Sequence, residues 1–165
     1  MKTNKLWFGF IAIIVVCFGI LGFYGHEIYR EKPPVPEQVI AENGTVLFTA
    51  QQIKDGQNVW QSIGGQEVGT VWGHGAYVAP DWSADWLHKE AMYILNEWAS
   101  KDSVATFDDL NEEQQAVYKV KLQKMLRTNT YDNNTGILTV PDERAAAIIS
   151  VSAHYAGLFM NDPKL

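Results

Sequence analysis

Four histidines, at positions 26, 74, 88 and 154, are the side chains best suited to metal or proton chemistry. No two stand four apart, the spacing that puts two imidazoles on one helical face, so a His-only metal site on one helix is excluded. Cys17 is the sole cysteine, which leaves no internal disulfide, no Cys-rich zinc site and no pair of thioethers for a covalently attached haem. The sequence has no Ser-His-Asp order, no HExxH and no GxxxxGK(S/T), and the glycines at 64, 65, 69, 73 and 75 do not make GxGxxG. Neither a nucleophilic nor a nucleotide-binding enzyme is supported. His154 lies among alanines and His88 follows Leu87, contexts of semi-buried packing. His74, between Gly73 and Gly75, sits in a loop where backbone and side chain can both meet a ligand or a partner. Five tryptophans between residues 60 and 98 can stack on a flat ligand, but at helical spacing they are expected to fill the core of a small domain.

The elements that position these residues begin with an apolar run. Leu6 to Gly25 reads LWFGFIAIIVVCFGILGFYG, 20 residues without a charge, and as a helix it would cross about 30 Å of hydrocarbon. Lys2 and Lys5 precede it, so the positive-inside bias puts the N-terminus in the cytoplasm and the rest on the periplasmic or extracellular side. A cleaved secretory signal has the same outline. It is disfavoured because the run exceeds the roughly 7–15 residues of a signal core and Gly22-Phe23-Tyr24-Gly25 lacks an Ala-x-Ala-like exit. Cys17, mid-span, reads as a small apolar residue.

The 165 residues allow one domain plus an appendage, and 47% hydrophobic with 19% charged residues is a globular composition. A net charge of −6 and a pI near 5.1 argue against nucleic acid as a partner. Lys2, Lys5, Arg30 and Lys32 lie before Pro33 and are offset there only by Glu27 and Glu31, so residues 33–165 hold nine basic against seventeen acidic side chains, a net −8. Such a domain is repelled by anionic headgroups, and its expected partner is protein.

Residues 1–32 are read as cytoplasmic N-terminus, anchor and flank, residues 33–48 as a stalk stiffened by Pro33, Pro34 and Pro36, and residues 49–165 as the extracytoplasmic domain. Thr49 and Gln52 have capping-box spacing, predicting a helix over 50–62 that buries Ile53, Val59 and Trp60 and stops at Gly64-Gly65. Gly64 to Pro80, with five glycines, is a loop. Asp81 or Ser83 caps a second helix to about Ser100, with Trp82 and Trp86 four apart on one face. A third helix is predicted from near Thr106 to Leu126, followed by a polar turn at 131–136 and an extended piece at 138–140. Pro141 opens a fourth helix, apolar from Ala145 to Met160. The expected class is all-α, one transmembrane helix followed by a small helical bundle.

The run from Gly56 to Glu90, GQNVWQSIGGQEVGTVWGHGAYVAPDWSADWLHKE, resembles the segment after the first membrane helix of quinol-dependent nitric oxide reductases. The likeness extends through GHEIYREKPPVP at 25–36, LRTNTYDNNTGILTV at 126–140 and HYAGLF at 154–159, covering nearly all of the chain after residue 20. The resemblance implies a membrane helix plus a cytochrome c-like domain without haem. In the cytochrome c of the related two-subunit enzymes, a similar GxGAYxAP stretch follows a CxxCH motif, whose two cysteines and histidine would fall here at Gly65, Val68 and Gly69. None of these can attach or ligate haem. The same turn of that cytochrome helps to ligate calcium, which transfers to Gly75 and Tyr77 as a candidate calcium site; a simple interface turn is the other reading of these two residues.

In the resembled family, reduction of two nitric oxide molecules to nitrous oxide takes place in a multi-helix domain holding haem b, haem b3 and a non-haem iron, fed by quinol. This chain has one candidate span and lacks the intramembrane histidines those metals need, so the resemblance implies an accessory role, with no catalytic residue in the chain. The expected contact surface with the catalytic domain or subunit is Gly73–Asp85 together with the adjoining Trp72, through Trp72, His74, Tyr77, Pro80, Asp81 and Trp82. A free-standing membrane-anchored binding or sensing module is the alternative, and an inactive relic of a truncated gene a third reading.

Overall fold

A computed structural model describes residues 2–71, 73 and 80–161. The chain divides into two compact units, residues 1–34 and 35–165. The first holds a single helix, α1 (Lys2–Glu31), long and apolar enough over Asn4–Glu31 to cross a membrane. It runs six residues beyond the uncharged stretch and ends ahead of Pro33, which has no amide hydrogen to continue a helix. In its last turns Arg30 pairs with Glu27 at 2.5 Å, one turn back.

The second unit is mostly helical, as expected for its class, with a small four-stranded sheet added. The strands are β1 (Gln38–Ala41), β2 (Val46–Thr49), β3 (Tyr131–Asp132) and β4 (Ile137–Val140), in the order β2-β1-β4-β3. β1 and β2 form a hairpin, turned by Gly44 at φ 87° and by Asn43, whose side chain accepts from the Thr45 N–H at 2.9 Å. β1 then pairs in parallel with β4, Gln38 opposite Ile137 and Ala41 opposite Val140. The hairpin thus occupies most of the stretch 33–48 that the prolines suggested as a stalk, and ends at Thr49. Its alternation is visible once paired, with Val39 and Ala41 buried and their neighbours more exposed.

The helices are α2 (Ala50–Ser62), α3 (Trp82–Lys101), α4 (Glu112–Arg127) and α5 (Asp142–Asn161), with 3₁₀ turns at Gly65–Glu67 and Phe107–Asp109. Local signals set most of their ends. Thr49 and Gln52 form the expected reciprocal box, the Thr49 N–H donating to Gln52 Oε1 at 2.9 Å. Gly64 at φ 69° ends the turn after α2. Asp81 caps α3, accepting from the amides of Ser83 and Ala84. The helix expected from Thr106 onward is two elements: Thr106 and Asp109 box a 3₁₀ turn, Leu110 turns extended at ψ 153°, and Asn111 caps α4 by accepting from the Gln114 N–H. The two caps, at Thr106 and Asn111, start two elements where the sequence suggested one, with Leu110 extended and buried between them.

Two cores hold the unit together. Ile94, Leu95, Trp98 and Ala99 of α3 pack with Phe107, Leu110, Leu122 of α4 and Ala147 of α5. Val39, Ala41 and Val140 of the sheet pack with Ala145 and Ile148 of α5 and with Trp86. α3 and α5 are therefore the spine, each contributing to both clusters. α2 contributes to neither: it has no buried residue, and Val59, expected inside, is 58% exposed.

Candidate functional site

The run from Gly56 to Glu90, on which the resemblance chiefly bears, starts inside α2 and continues into α3. Thr70 is buried and closes a clasp: its N–H donates to the Pro80 carbonyl at 2.8 Å, and its own carbonyl accepts from the Trp82 N–H at 2.8 Å. These two bonds pin both ends of the stretch 71–80 against the start of α3. Trp72, His74, Gly75 and Tyr77, and with the last two the candidate calcium site, lie outside the described residues. Of the remaining candidate contact residues, Pro80 is exposed, Asp81 is committed to the α3 cap, and Trp82 is half-buried with its ring edge-on to Tyr155 and Phe159. Among the described residues no three His, Cys, Asp or Glu side chains gather into a group able to hold a metal.

The positions matching a haem attachment motif are filled in a definite way. Gly65 and Gly69 are buried, while Val68 is 43% exposed. A Cβ on Gly65 would lie 2.6 Å from Trp60 Cε3 and nearer still to Cδ2 and Cε2. On Gly69 it would lie 2.6 Å from Trp82 Cδ1 and Cε2 and nearer still to Nε1. Two indoles stand where a thioether and an axial imidazole would need to begin, so the residues present do not fit a c-type haem. The tryptophans accordingly divide. Trp98 is core at 2% exposure, whereas Trp60, Trp82 and Trp86 are half-buried in an aromatic row on α5.

That row is the densest constellation among the described residues. Tyr155 stacks on Trp86, ring centroids 5.5 Å apart at 3°, and on Phe159 at 6.2 Å and 17°; Trp60 meets Phe159 edge-on at 6.3 Å. The four-residue spacing of Trp82 and Trp86 does place both rings on the face of α3 toward Tyr155, as the sequence indicated. The Tyr155 hydroxyl donates to Asp85, which also binds Lys89 Nζ at 2.5 and 2.6 Å. Hydrogen bonds from Lys89 and then from Tyr155 hold the Asp85 carboxyl below the usual aspartate range. Burial, with Asp85 adding to it, pushes the Tyr155 phenol up.

One turn further, Glu90 is 2% exposed and accepts from Arg144 Nε at 2.6 Å and from Trp86 Nε1 at 3.2 Å. This buried ion pair joins α3 to α5 beside the sheet. Sequence reasoning missed both constellations. The Asp85–Lys89 spacing is visible on a helix, but Tyr155 and Arg144 arrive from 70 and 54 residues away. His88 and His154 are exposed, not semi-buried: they lie on solvent faces of α3 and α5 that Leu87 and Ala153 share, and His154 packs its ring edge-on against Tyr155 at 5.4 Å.

No curated protein matches the chain. The family described as the NorB cytochrome c-like domain of nitric oxide reductase matches residues 36–165, the second compact unit almost from end to end. The same unit has indoles filling the two haem-attachment positions that the likeness assigns to glycines. The chain belongs to the family of the NorB cytochrome c-like domain of nitric oxide reductase.

Proposed function

We propose that this chain is the membrane-anchored, haem-free accessory part of a quinol-dependent nitric oxide reductase. In this reading α1 is an uncleaved anchor with its N-terminus in the cytoplasm, and residues 35–165 stand on the other side against the catalytic part of the enzyme. That part, outside this chain, carries haem b, haem b3 and the non-haem iron and reduces two nitric oxide molecules with two electrons and two protons to nitrous oxide and water. The observation that carries the reading is the pair of indoles at Gly65 and Gly69 within a domain of this family. A relay domain needs its redox group; a domain with two of its three attachment positions closed, at Gly65 and Gly69, contributes surface and support. Electrons then enter from quinol in the membrane without passing through residues 35–165.

The test is purification of the assembled reductase in mild detergent, with and without residues 35–165, followed by a haem spectrum and nitric oxide consumption with a quinol donor. Co-purification with b-type haem, and loss of activity or of assembly on deletion, is the expected result. Recovery of residues 1–165 free of any haem-bearing partner would overturn the reading and favour a free-standing binding module.

A further inference from the structure

α2 and its C-cap Ile63 present Gly56, Val59, Trp60 and Ile63 at the i, i+3, i+4, i+7 spacing of a helical stripe, yet α2 buries none of its residues. Val59 is 58% and Ile63 70% exposed. Facing them, Val68 and Phe159 in the last turns of α5 complete a groove of about 670 Å³. Above Gly56 the space is open, with no described atom within 4 Å of where a Cβ would sit, so another backbone can approach closely there.

The lining consists of apolar side chains and three glycines, and among the described residues no charged or amide side chain joins them to orient a small ligand or a quinol headgroup. Those features fit the laying of an apolar helix into a groove. The net −8 on residues 33–165 disfavours two alternatives, an anionic lipid surface and a second copy of the same domain, since both bring like charge. Phe159 lines the groove two residues before α5 ends at Asn161, so the end of α5 stands at the groove's rim. A segment tethered there meets the groove at high effective concentration.

We propose that the groove between α2, the Gly65–Glu67 turn and the end of α5 docks an apolar helix of the catalytic part of the same reductase. This rests on the function proposed above. The test places p-benzoylphenylalanine at Val59 or Ile63 of the assembled reductase in lipid nanodiscs, with Val117 and Val120 on α4, similarly exposed, as controls. After irradiation, positions 59 and 63 should give adducts with apolar residues of a helix in the catalytic part, and 117 and 120 should not. Adducts only with lipid or quinone, adducts with a second copy, or no adduct in an intact assembly would each overturn the docking while leaving the accessory role standing. Failure of residues 1–165 to assemble with a haem-bearing part would overturn both. In parallel, Ile63→Asp should keep the melting temperature of the chain, because the side chain is exposed, and lower recovery of the assembly at least tenfold. Unchanged recovery would also overturn the docking.

Discussion

The Trp82 indole occupies the space in which any side chain on Gly69 would have to begin, its Cδ1 and Cε2 2.6 Å from a Cβ placed there. The ring is wedged against Tyr155 and Phe159 and has no easy retreat. Gly69→Ala should therefore destabilise the domain by about 1–3 kcal/mol, the usual cost of overpacking. Urea denaturation measures it, and a Gly69→Ala/Trp82→Leu double variant should recover part of the loss. Equal losses in the single and the double variant would show that the indole is not the obstruction.

The same packing bears on haem. The triple variant Gly65→Cys/Val68→Cys/Gly69→His, expressed in cells that attach c-type haem, should carry none while Trp60 and Trp82 remain. A pyridine haemochrome spectrum and the protein mass report the outcome. Covalent haem on the triple variant would contradict the steric argument.

Breaking the Glu90–Arg144 pair by Arg144→Met leaves a carboxylate with 2% exposure whose remaining described partner is the Trp86 N–H. The expected cost is about 3 kcal/mol, at the low end for a buried pair because the Arg144 side chain keeps 24% exposure. Glu90→Gln, which keeps hydrogen-bonding capacity, should cost less. Denaturation midpoints at constant m-value decide it.

Stability should also depend on pH at both ends. Asp85, Glu143 and Asp132 are held below their ordinary range by hydrogen bonds from, in each case first, Lys89, Lys101 and the Asn134 N–H. A carboxylate with a depressed folded-state pKa stabilises fully above its unfolded value, about 4, and that contribution fades as the pH falls through the folded value. Tyr155 is raised, chiefly by burial, so the sign reverses: its share is complete below about pH 10 and is lost as the pH climbs through the folded value. Melting temperature against pH should give a plateau between about pH 5 and 9 with falls on both sides. Asp85→Asn should flatten the acid fall, and Tyr155→Phe the alkaline one.

What was legible in the sequence was local. Thr49 with Gln52, Gly64 and Asp81 announce helix ends because each acts within a few residues of itself, and the structure uses all three as expected. The apolar stripe of α2 was also legible, but periodicity says which face is apolar and not what covers it, so Val59 was expected inside and stands exposed. Of the sheet, the extended piece at 138–140, which lies in β4, was legible, and its pairing was not, for the opposite reason. β1 has four residues and completes its pattern only against β4, whose match lies 99 positions along the chain from Gln38 to Ile137. Tyr155 with Asp85 and Arg144 with Glu90 are likewise meetings of two helices whose residues carry no mark of each other. The filled attachment positions stand between these cases: the glycines were visible, the indoles over them were not.

The parallel register of β1 with β4 sets an order of events during biosynthesis. A ribosome making about 5–20 residues per second needs roughly 5–20 s between finishing Gln38 and finishing Ile137. Through that interval the hairpin that follows the hydrophobic helix in sequence has one edge with no neighbour, while α3 and then α4 are made, the latter ending at Arg127 shortly before Ile137. The domain closes late and from its two ends, so its folding rate is governed by a long loop closure. A ribosome stalled before residue 137 would display a strand edge open to pairing with other chains.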